Sequence, residues 1–164
     1  MADKEECCPV FDPKPYADQV IEWKDKLFVK DSMRTFMHMP LFGVFGKTCT
    51  RMMAVIDNAE ARVDDKDFIM LCGDPSPWKS ELFINVTREV PGAENVRLSG
   101  KYLTRVYDGP FSDVRKWVKD LRDYTKGKGE KLLDMYFYYT TCPKCAEKYG
   151  HNYVVGFAKI RSYT

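Results

Sequence analysis

The chain has 164 residues, 45% hydrophobic and 30% charged, enough for one packed domain or two small halves sharing a core. Its 26 basic and 24 acidic residues, net +2, argue against a dedicated nucleic-acid binder with a clustered basic face. No apolar run approaches the roughly 18–20 residues of a membrane span, and the acidic start "MADKEECCPVFDPKP" has no apolar h-region, so a cytoplasmic protein is expected. There are six cysteines, at 7, 8, 49, 72, 142 and 145, and in a reducing cytosol the expectation is free thiols.

Residues 1–15 read as an arm, since three prolines and a run of charge oppose regular structure. Residues 16–28 read as a short helix, with Val20, Trp23, Lys24 and Leu27 near helical spacing. "RTFMHMP" (34–40) is expected to be a strand. "GKTCTRMMAVIDNAEA" follows, with Cys49, Met52, Met53 and Ile56 forming the narrow apolar stripe of an amphipathic helix. "DFIMLCGD" (67–74) is a short apolar strand closed by the turn "GDPSPW". "ELFINVTREV" (81–90) alternates, with Leu82, Ile84 and Val86 on one face and Glu81, Phe83, Asn85 and Thr87 on the other. A long strand over 96–111 ends at Gly109-Pro110. The helix that follows has Ser112 as N-cap, a buried stripe of Val114, Trp117, Val118 and Leu121, and Gly127 and Gly129 at its end. An aromatic strand (132–141), the loop "CPKCAEKYGH" and a last strand (152–160) complete the chain.

The order is strand–helix–strand–strand, twice, at an offset of about 65–70 residues. The expected class is α+β: a duplicated module making two antiparallel sheets side by side, helices on one face and a ligand groove on the other. The expected organisation is an arm and short helix over 1–30, then a single domain over 31–164, with repeats at about 33–92 and 95–161.

The groove should be lined by Tyr136, Tyr138, Tyr139, Phe83, Trp78 and Phe157, with Glu81, His38, Phe36 and Tyr107 completing the candidate set. Trp117 and Phe137 read as core. On pattern, Tyr136 and Tyr138 share a face with Asp134, while Leu133, Met135 and Phe137 make an apolar face suited to the helix. Met52 and Met53 read as core filler. Cys142-Pro-Lys-Cys145 with His151 beyond it has the look of half a zinc site, but no second C-x-x-C appears; it reads as a turn with two thiols, and neither a metal nor a cofactor is expected. There is no Ser/His/Asp spacing, no G-x-G-x-x-G and no P-loop.

"YLTRVYDGPFSDVRKWVKDL", "IMLCGDPSP" and "EVPG", in that order and spacing, resemble the GyrI-like family over about residues 33–160. That family is similar to the drug-binding domain of multidrug-responsive transcription regulators. The resemblance implies a protein that holds bulky, planar, often cationic aromatic molecules in an aromatic groove, without nucleic-acid or membrane partners. Its alternatives are hydrolysis of cyclopropane-bearing electrophiles in the same cage, or modulation of a protein partner of gyrase type. If Tyr139 matches the family's strand tyrosine, Phe137 stands where a glutamate is usual, and Glu81 is the nearest substitute by pattern. The family alignment would also turn Phe137 and Tyr139 inward, against the alternation, which turns Tyr136 and Tyr138 inward.

Overall fold

The structure is a computed structural model that describes residues 11–37, 39, 40, 43–140 and 149–161. His38, the cysteines at 7, 8, 142 and 145, and most of the loop after residue 141 lie outside the described residues. The elements run β1 (Gln19–Phe36), β2 (Met39–Pro40), α1 (Val44–Asn58), β3 (Met70–Ser76), β4 (Lys79–Asn85), β5 (Glu94–Asp108), α2 (Val114–Gly127), β6 (Leu132–Tyr139) and β7 (Tyr153–Ile160). This is an α+β chain of mostly antiparallel strands, with two α-helices among the described residues. It divides into an α1 unit (Trp23–Ser99) and an α2 unit (Met1–Glu22 with Gly100–Thr164).

In the α1 unit, β4 lies between β1 and β3, antiparallel to both. The alternation read in residues 81–90 is realised as far as Val86, although the strand itself ends at Asn85. Leu82, Ile84 and Val86 pack with Val29 and Met33 of β1 against Met52 and Ile56 of α1. Cys49 and Met53 of the expected stripe lie against the same cluster. Burying a side chain such as Ile56 or Leu82 stabilises by about 1.5–3 kcal/mol, and that apolar stripe fixes α1 on its sheet.

In the α2 unit, β7 lies between β5 and β6, again antiparallel to both. Trp117 and Leu121 of α2 pack on Leu103, Phe137, Val154, Ala158 and Ile160, with Tyr107, Met135 and Tyr139 at the margin. Gly156 sits under the helix. A Cβ there would lie 2.9 Å from Leu121 Cδ2 and 3.2 Å from Tyr107 Cε2, so its bare backbone sets how closely α2 approaches.

The short helix expected over 16–28 is not formed. Among the described residues, a 3-10 turn, Lys14–Tyr16, precedes a strand of 18 residues. From Phe28 to Arg34 this strand pairs with β4, and the β-branched and aromatic residues Val20, Ile21, Trp23, Phe28 and Val29 suit a pleated surface. The helical spacing of Val20, Trp23 and Leu27 is overridden by non-local strand contacts: β1 pairs with β5 as well as with β4, and the Leu27 carbonyl accepts the Val86 N–H. Asp25, at φ 48°, interrupts the strand; its N–H donates to Ser99 Oγ at 2.8 Å and its carbonyl accepts from Arg97. The strand expected over 34–40 is likewise broken, because Met37 takes φ 50° between β1 and β2.

Candidate functional site

The α2 unit has a face turned away from its helix, and that face is aromatic. Strand alternation places Tyr136 and Tyr138 of β6, Val155 and Phe157 of β7, and Tyr102 and Thr104 of β5 on it, all of them buried. Tyr102 meets Tyr136 at 6.5 Å and Phe157 at 6.3 Å between ring centroids. Tyr136 Oη donates to Asp134 Oδ2 at 2.8 Å, which puts a carboxylate on the same face. Burial, and then the charge of Asp134, push the Tyr102 phenol up to about 12, so it is neutral and a hydrogen-bond donor at ordinary pH.

Phe11 and Tyr16, which precede β1, lie on this face. Phe11 stacks on Tyr16 at 5.7 Å and meets Tyr138 edge-on at 5.8 Å, while Tyr16 meets Phe157 edge-on at 5.8 Å. Thr104 Oγ1 ties the segment down by donating to the carbonyls of Tyr16 (2.7 Å) and Gln19 (3.3 Å). Asp18 adds an ion pair to Arg105. The sequence contains no signal for this contact beyond the presence of two rings in an otherwise proline-rich arm.

Of the expected site residues, Tyr136, Tyr138 and Phe157 share the aromatic face. Phe137 points to the helix side, into the Trp117 cluster, so the alternation decides the orientation of β6 and the family alignment does not. Tyr139 and Tyr107 are also on the helix side. Tyr107 stacks on Trp117 at 5.7 Å and donates to Asp120 at 2.8 Å; burial, then that bond, raises its phenol strongly.

Glu81 and Phe83 lie in the α1 unit, on the face of β4 opposite α1. Glu81 is ion-paired with Lys30 at 2.5 Å, and Lys30 Nζ also lies 5.9 Å from the Phe83 ring centroid and 3.9 Å from Glu94. The Glu81 bond raises the Lys30 ammonium against the opposing effect of burial. Phe28, edge-on to Phe83 at 6.4 Å and tilted on Trp23 at 5.6 Å, completes this patch. Phe36 and Trp78 stand apart from both clusters, 62% and 57% exposed, and meet only edge to face at 5.6 Å among the ring contacts described for them. The α1 unit also has an open polar cavity of about 260 Å³ beside Lys26, Arg62, Asp64 and Asp67; it contains no aromatic side chain, and Arg62 is already paired with Asp57.

No helix among the described residues is long and apolar enough to cross a membrane, and no three described His, Cys, Asp or Glu side chains are grouped to hold a metal ion.

Solved structures share this fold at low sequence identity. The C-terminal domain of EcmrR aligns with 88% of this chain and 97% of its own, at TM-score 0.70 and 10% identity. SAV2435 bound to tetraphenylphosphonium aligns with 88% of this chain and 93% of its own, at TM-score 0.56 and 12% identity. A hydrolase from Listeria innocua aligns with 89% and 92%, at TM-score 0.63 and 12% identity. No curated protein matches the chain. The fold is GyrI-like, and a family model described as "Bacterial hydrolase" matches residues 1–160; over nearly its whole length, the chain belongs to that bacterial hydrolase family.

Proposed function

We propose that this chain is a cytoplasmic binding protein for bulky, planar, cationic aromatic molecules, which it takes on the aromatic face of the α2 unit. The observation that carries this reading is that the face already receives aromatic rings. Phe11 and Tyr16, stacked on each other, meet Tyr138 and Phe157 edge-on, from a stretch whose described residues before β1 form one 3-10 turn. A flat ligand satisfies the same contacts, and a cationic one gains from the ring faces and from Asp134. Selectivity is broad, because flat rings accept many shapes. The likeness to SAV2435, whose structure holds a cation bearing four phenyl groups, supports a bulky aromatic cation as ligand. The common strand–helix–strand–strand order of the two units supports a duplicated module.

A ligand on this face takes the place of Phe11, so the arm competes with it. Titration of rhodamine 6G fluorescence tests both points. The wild type binds saturably, Tyr138→Ala weakens binding about 5- to 30-fold, matching a loss of about 1–2 kcal/mol of ring contact, and Phe11→Ala tightens it. If neither the wild type nor Phe11→Ala binds saturably, the reading fails.

Hydrolysis of electrophilic xenobiotics is the second reading, favoured by the family's description. Glu81 is poorly placed to activate water for it, since Lys30 holds that carboxylate. Any hydrolytic base is better sought elsewhere.

A further inference from the structure

Asp108 and His151 are 43 positions apart in sequence, and the β5–β7 ladder brings them together. Asp108 ends β5, opposite Tyr153 at the start of β7, and His151 lies two residues before Tyr153. His151 Nδ1 is 2.7 Å from Asp108 Oδ2. The other carboxylate oxygen, Oδ1, accepts the Asn152 N–H at 2.8 Å. The Asn152 side chain is fixed in turn, donating from Nδ2 to the Gly109 carbonyl at 2.6 Å. The imidazole is also held from its face, stacked on Tyr153 with centroids 4.9 Å apart and planes 10° apart. Tyr153 is 6.1 Å from Phe11, and Phe11 is 5.8 Å from Tyr138, so three ring contacts lead from this histidine to the aromatic face.

We propose that His151 is a general base, oriented by Asp108 and seated at the rim of the aromatic face, and that it catalyses hydrolysis of esters of planar aromatic alcohols. An Nδ1–H donated to the carboxylate leaves the lone pair on Nε2, and the side chain is 53% exposed, so water reaches it. Partial burial pushes the Asp108 carboxyl up, but the hydrogen bonds from His151 and the Asn152 amide outweigh it and hold the group below its ordinary value, ionised as the arrangement requires.

In the reaction, Nε2 takes a proton from water as the water oxygen bonds to the acyl carbon. The tetrahedral adduct collapses with cleavage of the acyl C–O bond. The imidazolium returns its proton to the departing phenolate, giving one carboxylic acid and one phenol with no net redox change. Asp108 is a positioning residue: it fixes the ring orientation and stabilises the imidazolium.

The inference rests on the binding reading only for where the aromatic group lies. The probe is 4-methylumbelliferyl acetate, whose phenol product is a planar coumarin, hydrolysed by the full chain with free imidazole at equal concentration as reference. Saturable turnover is expected, well above the reference. His151→Ala lowers kcat about 100-fold or more, the range of general-base contributions, and added imidazole restores part of it, which a merely structural defect would not allow. Asp108→Asn lowers kcat at least about 10-fold with little change in KM, and Asp108→Glu recovers part of the loss. Absence of saturable wild-type turnover overturns the proposal, as does a His151→Ala protein that retains turnover within a few-fold. Tyr138→Ala separates the two readings. If it raises KM alone, both stand. If it changes nothing while His151→Ala abolishes turnover, the dyad stands and the placement of the ligand fails. Rhodamine binding without ester turnover sinks the dyad and leaves the binding reading intact.

Discussion

Gly156 is the residue on which the α2 packing turns. A methyl group there meets Leu121 Cδ2 at 2.9 Å, the Tyr107 ring at 3.2 Å and the Phe137 ring at 3.5 Å, all within the helix-side cluster. Gly156→Ala therefore overpacks that cluster and costs about 1–3 kcal/mol, seen as a fall in Tm of about 2–12 °C for a chain of this size. An unchanged Tm would mean that the helix yields freely. At the same scale, burial pushes the Cys49 thiol up to about 11 and the Cys72 thiol still higher, the latter helped by the charge of Asp74. Thiolate is the reactive form, so iodoacetamide at pH 7.5 leaves the Cys49 and Cys72 peptides largely unlabelled by mass spectrometry until urea is added. Single residues were legible where strand alternation governs them. Asp134, Tyr136 and Tyr138 on one face and Met135 and Phe137 on the other follow from period two alone. The Asp108–His151 contact was not legible, because nothing in either local segment encodes a partner 43 positions away. Glu81 illustrates the same limit. Its strand face was evident from the alternation, whereas its capture by Lys30 depends on the β1–β4 register, which pairs Lys30 with Phe83 and Ser32 with Glu81.

Among the elements, the two helices were the most legible, and for one reason: each has a stripe at i, i+3, i+4 and i+7 with a polar opposite face. In α2 that stripe buries Trp117, Leu121 and Thr125, and Leu121 is fully buried. Leu121→Ala removes apolar contact and leaves a cavity against Val154 and Ala158, costing about 2–5 kcal/mol. Urea unfolding measures it; a cost below about 1 kcal/mol would mean that the helix does not depend on this cluster. β1 was the least legible element. Its apolar residues satisfy a helical spacing over 16–28, and only non-local pairing, with β5 and from Phe28 with β4, overrides it. The N-terminal segment is a related case. Its prolines oppose regular structure, and the described part contains a 3-10 turn at Lys14–Tyr16, but the seating of Phe11 and Tyr16 depends on Thr104, which binds the segment through the Tyr16 and Gln19 carbonyls.

For the whole molecule, all but one of the shifted protonation equilibria point in one direction. Asp108 is the one described acid held below its ordinary value, whereas Cys49, Cys72, Tyr102 and Tyr107 are raised chiefly by burial, and Lys30 is raised chiefly by its hydrogen bond to Glu81. A group raised in the folded state keeps its proton where the unfolded chain has already lost it. The folded state then binds more protons than the unfolded state, and stability falls as pH rises. This begins near pH 8.5–9, about where an unfolded thiol titrates, continues past pH 10 as unfolded tyrosine and lysine follow, and for Cys49 and Tyr102 is complete only above about 11 and 12. The acid side behaves oppositely and more weakly. The depressed Asp108 contributes stability that is present above about pH 4 and is lost as pH falls through its lower folded value, and its pair with His151 is half exposed and screened by solvent. Urea unfolding at pH 5, 7, 9, 10 and 11 should give similar midpoints at pH 5 and 7 and a steep fall between pH 9 and 11. Tyr102→Phe, which removes one of the raised phenols without changing the ring, should make that fall shallower. A midpoint that holds constant to pH 11, or a Tyr102→Phe curve that keeps the wild-type slope, would show that the buried phenol does not set the alkaline limit of this fold.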